Sequence, residues 1–265
     1  MPHNSELIKI LNISSSTLQR KVRIDIFLPP DNTHRKSDPY RLLLLNDGQD
    51  WTKLRLPEVL SAYYHRKMPP LVVAAIYAGS RIQEYGIAAE ADYQQRGSKA
   101  GAYSLFITTE LLPYLQRHYP IERSTTYTAI AGCSLGGLSA FDIAWQFPEL
   151  FGAVGVFSGS FWWRSKALSN DYTDNDRIIH RLISQDIKRE GLRFWLQTGT
   201  HDEIADRNQN GIIDSIDDTL DLLAILQNKG YKIGKDLRYV QIDTGQHNQD
   251  TWAIALPDFL KWTFR

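Results

Sequence analysis

One stretch decides the expected fold: Thr126-Tyr-Thr-Ala-Ile-Ala-Gly-Cys-Ser-Leu-Gly-Gly-Leu-Ser-Ala140. Its first part, residues 127–131, is apolar and β-prone, whereas the apolar residues after Gly136 recur at helical spacing. Between them lies Gly-Cys-Ser-Leu-Gly, which fits the G-x-S-x-G pattern of a sharp strand-to-helix turn. Small residues on both sides of Ser134 leave room for the strand and the helix to approach. The stretch therefore predicts a serine that is raised above a sheet edge and faces the first NH groups of a helix.

Strands and helices are expected to alternate around this turn. Residues 7–13 and 20–28 alternate apolar and polar side chains, which predicts an antiparallel hairpin at one edge of the sheet. Continuous apolar runs at 41–45 and 71–77 predict strands that are buried on both faces. The alternation that follows predicts an α/β fold with a mostly parallel, doubly wound sheet. We expect one domain over residues 1–265.

The amino-acid composition limits the kinds of molecule that the chain is expected to bind. The chain has 30 basic and 30 acidic residues, so no overall field favours nucleic acid or an anionic membrane surface. The one cysteine, Cys133, cannot form an internal disulfide. No apolar run is long enough to span a bilayer, and the first residues lack the pattern of a signal peptide. We therefore expect a cytoplasmic protein that acts on a small molecule; the oligomeric state is left open.

A serine needs a base, and the base needs a group that orients it. In folds with such an elbow these groups follow in the order serine, acid, histidine, on loops after later strands. Asp202 and Glu203 follow the strand expected at 192–198, and His247 follows the one expected at 237–242. We favour Ser134, Asp202 and His247 as the triad and keep Glu203 as the alternative acid.

Two backbone groups are candidates for the oxyanion hole. The NH of Leu135 directly follows the nucleophile, as the elbow requires. The second donor is expected from the loop after the strand at 41–45, where Gly48 permits a bend. The NH of Gln49 is our candidate there.

Three side chains are candidates for substrate contact. Trp162 and Trp163 follow the strand expected at 153–158, where their rings either line an acyl or aryl pocket or pack in the core. Arg81 lies in a long loop, residues 78–101, which is a candidate rim for that pocket. It either faces substrate or forms a structural ion pair with Glu84, and the pair is favoured.

Several strings together resemble one known family, over most of the chain from about Arg20 onward. They are Leu45-Asn-Asp-Gly-Gln49, Arg81-Ile-Gln-Glu-Tyr85, Glu110-Leu-Leu-Pro-Tyr114, Gly132-Cys-Ser-Leu-Gly-Gly137, Phe157-Ser-Gly-Ser-Phe-Trp-Trp163, and Gly245-Gln-His247 with Trp252. They look like the esterase family that includes enterochelin esterases, feruloyl and acetylxylan esterase domains, S-formylglutathione hydrolases and mycolyltransferases. The resemblance implies an α/β-hydrolase fold with a Ser-acid-His triad. By position it implies the same triad and oxyanion residues, but no arginine set for a catecholate siderophore is identified.

The stretch from Asp206 to Asp217 fits the spacing of an EF-hand calcium loop. Its glycine, Gly211, stands at the position of the sharp turn, and Asp217 replaces the usual final glutamate. The expected ligands are all oxygen donors, from Asp206, Asn208, Asn210, the carbonyl of Ile212, Asp214 and Asp217. We expect one structural Ca²⁺ here, beside the acid loop, and no organic cofactor.

The sequence thus predicts a serine carboxylic-ester hydrolase that forms an acyl-enzyme intermediate. An acyltransferase would use the same triad and pass the acyl group to an alcohol instead of water. A non-catalytic, calcium-dependent binding module is the alternative from a different class.

Overall fold

A computed structural model describes residues 8–30, 38–169 and 171–265. The strands are β1 (Ile8–Ser15), β2 (Arg20–Phe27), β3 (Arg41–Asn46), β4 (Leu71–Ile76), β5 (Thr128–Cys133), β6 (Ala153–Phe157), β7 (Arg193–His201) and β8 (Leu237–Gln246). The α-helices are α1 (Leu56–His65), α2 (Arg81–Glu84), α3 (Ala100–Leu105), α4 (Leu112–His118), α5 (Leu135–Gln146), α6 (Ile178–Gln185), α7 (Asp214–Asn228) and α8 (Gln249–Phe264).

The described strands form one sheet in the order β1-β2-β4-β3-β5-β6-β7-β8. β1 and β2 pair antiparallel, as do β2 and β4, whereas every pairing from β4 through β3 to β8 is parallel. The mostly parallel sheet and the antiparallel hairpin at its edge are therefore confirmed. Leu7, the first residue of the expected hairpin, lies outside the described residues.

The apolar strands β3 to β6 separate two clusters of buried side chains, because successive residues point to opposite faces. Leu42 and Leu44 pack with residues of α3 to α7 on one face, whereas Leu43 and Leu45 pack with residues of α1 and α8 on the other. Helices thus cover both faces of the sheet, which confirms the doubly wound arrangement. Among the helices of residues 8–30, 38–169 and 171–265, none is long and apolar enough to cross a bilayer.

Residues 103–119 have the pattern of a helix, and Pro113 in its interior predicts a kink or a split, which the structure shows. α3 runs into a π-helical segment, Phe106–Leu111, before α4 begins. Proline lacks an NH, and its ring clashes with the carbonyl four residues earlier in a regular α-helix. The wider turn of the π segment relieves that clash and places Pro113 in the first turn of α4, where no NH is needed.

Several element boundaries differ from the sequence prediction. β7 and β8 are longer than expected, because their pairing continues past an irregularity between Gly199 and His201. Asp202 and His247 therefore come immediately after the strand ends. The sequence pattern also predicts helices over residues 176–189 and 219–229, and the structure places α6 at Ile178–Gln185 and α7 at Asp214–Asn228.

Candidate active site

Four neighbouring parallel strands end at the same edge of the sheet and supply the predicted residues. Ser134 follows β5, Asp202 follows β7 and His247 follows β8, while residues 158–160 follow β6 between them. Parallel strands present their carboxyl ends at one edge, where open α/β sheets bind ligands. The topology thus brings the three triad candidates to one place, although they are far apart in sequence.

Ser134 occupies a strained turn, as the elbow pattern predicts. Its backbone has a φ of 54° and a ψ of −124°, which a non-glycine residue adopts only when its surroundings enforce it. The NH of Ser134 donates to the carbonyl of Phe157 at 2.8 Å. A Cβ on Gly132 would stand 2.3 Å from the carbonyl oxygen of Gly136, so only glycine permits this approach.

Asn46, which the sequence analysis did not single out, holds the elbow from the neighbouring strand. Its amide donates to the carbonyl of Gly136 at 2.8 Å, and its own carbonyl accepts from the hydroxyl of Tyr103 at 2.7 Å. Both contacts are buried. A polar residue that ends an otherwise apolar strand was the available signal, because such a buried amide requires partners.

The hydroxyl of Ser134 lies next to a second serine. Its Oγ is 3.3 Å from Oγ of Ser160, whose NH donates to the carbonyl of Ser134 at 3.2 Å. Within the described ranges, no hydrogen bond joins the Ser134 hydroxyl to His247. The nucleophile and base candidates share the strand edge but are not hydrogen-bonded in this conformation; in free enzymes such contacts often tighten only when substrate binds.

Asp202 is buried beside the end of β7. Its Oδ2 accepts from the NH of Gly199 at 3.0 Å, whereas its buried Oδ1 has no fully formed hydrogen bond. Burial raises the pKa of Asp202, and the NH of Gly199, the hydroxyl of Ser158 and the charge of His247 oppose that rise. The unpartnered oxygen leaves room for an imidazole NH.

Glu203 has a different environment. Burial raises the pKa of its carboxyl group, and the backbone NH of Ser215, in the first turn of α7, opposes that rise. Its buried Oε1, like Oδ1 of Asp202, has no hydrogen-bond partner among the described residues. A carboxylate at this place also interacts favourably with the helix dipole. The charge of Asp202 acts on the imidazole of His247, and Asp202 stays the predicted acid of the triad.

The imidazole of His247 lies at the exposed rim of the site. Its ring meets the indole of Trp252 edge to face, with ring centroids 5.3 Å apart. Desolvation by the surrounding protein and the positive charge of Arg81 lower the pKa of His247, whereas the charge of Asp202 raises it. The net lowering favours the neutral imidazole, which is the form that acts as a base.

The loop after β3 forms a tight 3₁₀ turn, Gly48–Asp50, which carries the proposed Gln49 donor. A Cβ on Gly48 would stand 2.5 Å from the backbone of Ala75, so it is this close approach to β4 that requires glycine here. The side chain of Gln49 spans the loop, donating to Asp47 at 3.0 Å and accepting from the NH of Ala78 at 3.3 Å.

The second proposed donor is the NH of Leu135, at the first position of α5. An NH at that position has no acceptor within its own helix.

Arg81 does not pair with Glu84, so that expectation was wrong. Arg81 donates to both carboxylate oxygens of Asp47, at 2.8 and 2.9 Å, while Glu84 accepts from Arg20 at 2.7 and 2.6 Å. Arg81 and Glu84 lie at opposite ends of helix α2, and each forms its ion pair with a residue outside that helix. Nη2 of Arg81 also lies 3.3 Å from the carbonyl of Cys133, directly before the nucleophile. Arg81 therefore links the loop after β3, which carries the proposed Gln49 donor, to the elbow.

The two tryptophans after β6 differ in exposure. Trp163 is fully buried, against the backbone of Gly86 and Gly97, and is part of the core in this conformation. Trp162 is partly buried, so its pocket role stays a prediction. The guanidinium of Arg96 lies 5.3 Å from the ring of Trp162 and 5.2 Å from that of Trp163, a cation–π arrangement.

The predicted calcium loop is closed by its own hydrogen bonds. Asp206 accepts from the NH groups of Asn210 and Gly211, at 3.1 and 2.9 Å, and Asp217 accepts from the amides of Asn208 and Asn210, at 3.0 and 2.8 Å.

Asp214, another expected ligand, is 3.1 Å from the guanidinium of Arg207. Over the described part of the chain, no group of three or more histidine, cysteine or acidic side chains is arranged to hold a metal ion. Calcium binding stays a prediction, since it also requires amide and carbonyl oxygens.

Comparison with known proteins agrees with this geometry. The family model described as "Putative esterase" matches residues 15–263. The chain belongs to this family. The Iron(III) enterobactin esterase of Escherichia coli K12 is 29% identical over 188 residues, which cover 70% of this chain and 43% of that protein. The chain thus spans less than half of the length of this relative.

Solved structures show the same fold. The enterobactin esterase of Shigella flexneri, crystallised in the presence of enterobactin, superimposes with a TM-score of 0.72 at 25% identity, over 97% of this chain and 59% of that one. A ferulic acid esterase superimposes with a TM-score of 0.73 at 18% identity, over 97% of both chains. The α/β-hydrolase fold is confirmed.

Proposed function

We propose that the protein hydrolyses a small-molecule carboxylic ester through Ser134, His247 and Asp202. The observation that carries the proposal is the strained backbone of Ser134 at the junction of β5 and α5. Strain of this kind costs stability and persists where the surrounding structure enforces it, often at active sites. Here it places a hydroxyl beside the first NH groups of a helix, at the edge where the acid and histidine candidates also lie.

The reaction follows from the positions of these groups. Oγ of Ser134 attacks the ester carbonyl while His247 accepts its proton, and the carbonyl oxygen becomes an oxyanion between the NH groups of Leu135 and Gln49. The tetrahedral intermediate collapses, and His247 returns the proton to the departing alcohol. Water then attacks the acyl-enzyme while His247 accepts a proton from it. As this second tetrahedral intermediate collapses, His247 returns the proton to Oγ of Ser134, which releases the carboxylic acid and the free enzyme. Asp202 holds the imidazole and stabilises its positive charge.

The relatives suggest where to look for the substrate. Two of the proteins compared are named for hydrolysis of enterobactin and one for ferulic acid esters. A panel of aryl, feruloyl, acetyl-sugar, lactone and thioester substrates, with enterobactin among the lactones, will define which acyl and alcohol groups this chain accepts.

The proposal is tested by turnover of a p-nitrophenyl ester. We expect Ser134→Ala and His247→Ala each to lower kcat by about 10⁴ to 10⁶, because members of a triad act as a unit. Ser139→Ala, on the same helix α5, and His65→Ala, at the end of α1, are matched controls and should retain activity. Substantial turnover by purified, folded Ser134→Ala protein would overturn the proposal.

A further inference from the structure

Ser158, the first residue after β6, has an unusual position beside the site. Its backbone has a φ of 46°, in the left-handed region that a serine rarely adopts, and its NH donates to the carbonyl of Gln197 at 2.8 Å. The residue is 1% exposed. A strained, fully buried serine next to the proposed triad indicates that its hydroxyl has a specific task.

Trp252 fixes the direction of that hydroxyl. Its Nε1 donates to Oγ of Ser158 at 2.9 Å, in a buried contact between the first turn of α8 and the end of β6. An indole NH can only donate, so Oγ of Ser158 is the acceptor. The single hydrogen of the Ser158 hydroxyl thus remains free for another acceptor.

Asp202, which follows the neighbouring strand β7, offers a buried oxygen that has no other hydrogen-bond partner. Its Oδ2 is satisfied by Gly199, whereas its Oδ1 is buried without a fully formed hydrogen bond. The hydroxyl of Ser158 lowers the pKa of Asp202, against the rise that burial causes. A buried carboxylate is costly unless donors surround it, so the hydroxyl stabilises Asp202 as an anion.

The same tryptophan contacts the proposed base. The edge-to-face packing of Trp252 on His247 restricts the tilt of the imidazole. Trp252 is 6% exposed, so the residues around it restrict the movement of its ring. Trp252 therefore contacts His247 directly through its ring and is linked to Asp202 through Ser158.

We infer that Ser158 and Trp252 are a pair of positioning residues that hold Asp202 and His247 in register for proton transfer. The inference rests on the proposed triad. It assigns to two residues outside the triad the role of keeping the acid ionised and the imidazole oriented.

The pH dependence of turnover distinguishes this role from general support of the fold. Asp202 and His247 interact with each other. Asp202 also interacts with the ionisable groups of Glu203 and Tyr239, and His247 interacts with the charge of Arg81. Loss of the Ser158 hydroxyl leaves these groups in place but removes a donor from Asp202. The carboxylate then binds protons more readily and attracts the imidazolium more strongly. Both effects move the acid limb of the kcat/KM profile to higher pH.

The experiment compares Ser158→Ala, Ser158→Gly and Trp252→Phe with the wild-type protein on a p-nitrophenyl ester. We expect both Ser158 variants to lower kcat by about 10- to 100-fold, the size expected for a hydrogen bond to a charged group, with KM changed less than about threefold. The acid limb should move upward by about half a pH unit or more. Ser158→Gly also relieves the positive φ, so it should fold even where alanine does not.

Trp252→Phe keeps a ring against His247 but removes the indole NH, so it should shift the acid limb in the same direction. Trp262→Phe, on the same helix, is the matched control and should leave both kcat and the pH profile unchanged. Folded Ser158→Gly and Trp252→Phe proteins with wild-type kcat and an unmoved acid limb would overturn the inference. Such a result would refute only the positioning pair if Ser134→Ala is inactive in the same assay. If Ser134→Ala is active, the proposed triad itself is refuted.

Discussion

The guanidinium of Arg81 binds the carboxylate of Asp47 through two hydrogen bonds, Nε to Oδ1 at 2.8 Å and Nη2 to Oδ2 at 2.9 Å. Asp47 has a left-handed backbone, with a φ of 57°, and directly precedes the turn that carries Gln49. Its pKa is raised mainly by burial, against which Arg81 supplies the compensating charge. The pair thus fixes one proposed wall of the oxyanion hole from α2, across the loop.

We predict that Arg81→Gln lowers kcat by about 100-fold, because an uncompensated buried carboxylate distorts the Gln49 turn. The acid limb of kcat/KM should also move to higher pH, since the charge of Arg81 lowers the pKa of His247. Arg20→Gln is the matched control: it breaks the similar pair with Glu84, away from Asp47. Equal loss of kcat in the two variants would show that both pairs only stabilise the fold.

The choice between the two candidate acids is tested by isosteric amides. Asp202→Asn should lower kcat by several orders of magnitude, because an amide favours the wrong imidazole tautomer. Glu203→Gln should have a mild effect, since the NH of Ser215, which opposes the raised pKa of Glu203, can also donate to an amide oxygen. The reverse ranking of kcat in folded proteins would move the acid to Glu203.

Asp142, on the elbow helix, gives a prediction for stability against pH. It is buried, with Oδ2 accepting from the NH of Ala88 at 2.8 Å and from the amide of Gln146 at 2.7 Å, and burial raises its pKa to about 6. Because this value lies above the ordinary 3.8, protonation favours the folded state. The stabilisation is complete below about pH 4 and is lost as the pH rises through about 6.

Asp142→Asn should therefore raise the free energy of unfolding at pH 8 by on the order of 1–2 kcal/mol and reduce its rise between pH 8 and pH 5. An amide oxygen can accept both existing hydrogen bonds. Chemical denaturation across this pH range measures the effect, with Glu149→Gln at an exposed position as the control. A destabilised variant at pH 8 would show that the ionised carboxylate stabilises the folded state.

We propose that the loop from Asp206 to Asp217 binds one structural Ca²⁺, with Asp217 turning from the Asn208 and Asn210 amides toward the ion. Calcium should raise the melting temperature, because it binds only the folded loop. The loop begins four residues after Asp202, so chelation should lower stability first and activity through it. Asp217→Ala should abolish the calcium-dependent shift. An unchanged melting curve in EGTA, with no calcium in elemental analysis of protein prepared with it, would show the loop to be only a turn.

Local patterns predicted the fold well, because the elbow, the hairpin and the buried strands each depend on neighbouring residues. Pro113 likewise revealed a break in its helix from covalent geometry alone. The ends of β7 and β8 were missed because their pairing continues across the irregularity near Gly199, which depends on close backbone approach to Gly245. That contact joins residues far apart in sequence.

The site was predictable where chain order determines it and less so where partners are distant. The order of Ser134, Asp202 and His247 after successive strands was readable from the sequence. The partner of Arg81 was not readable from the sequence. Asp47 lies 34 positions away, whereas Glu84, the expected partner, is close to Arg81 in sequence. The contact between Trp252 and Ser158 spans 94 positions, and no local pattern announces it.

The most direct test of the proposed triad is the site of covalent labelling. The protein is treated with an alkyl fluorophosphonate, and the modified residue is located by mass spectrometry of its peptides. The proposed triad predicts one adduct per chain, on Ser134, formed in wild-type protein, absent from Ser134→Ala and slowed at least about 100-fold in His247→Ala. Folded wild-type protein that forms no adduct, or an adduct that persists in Ser134→Ala, would contradict it.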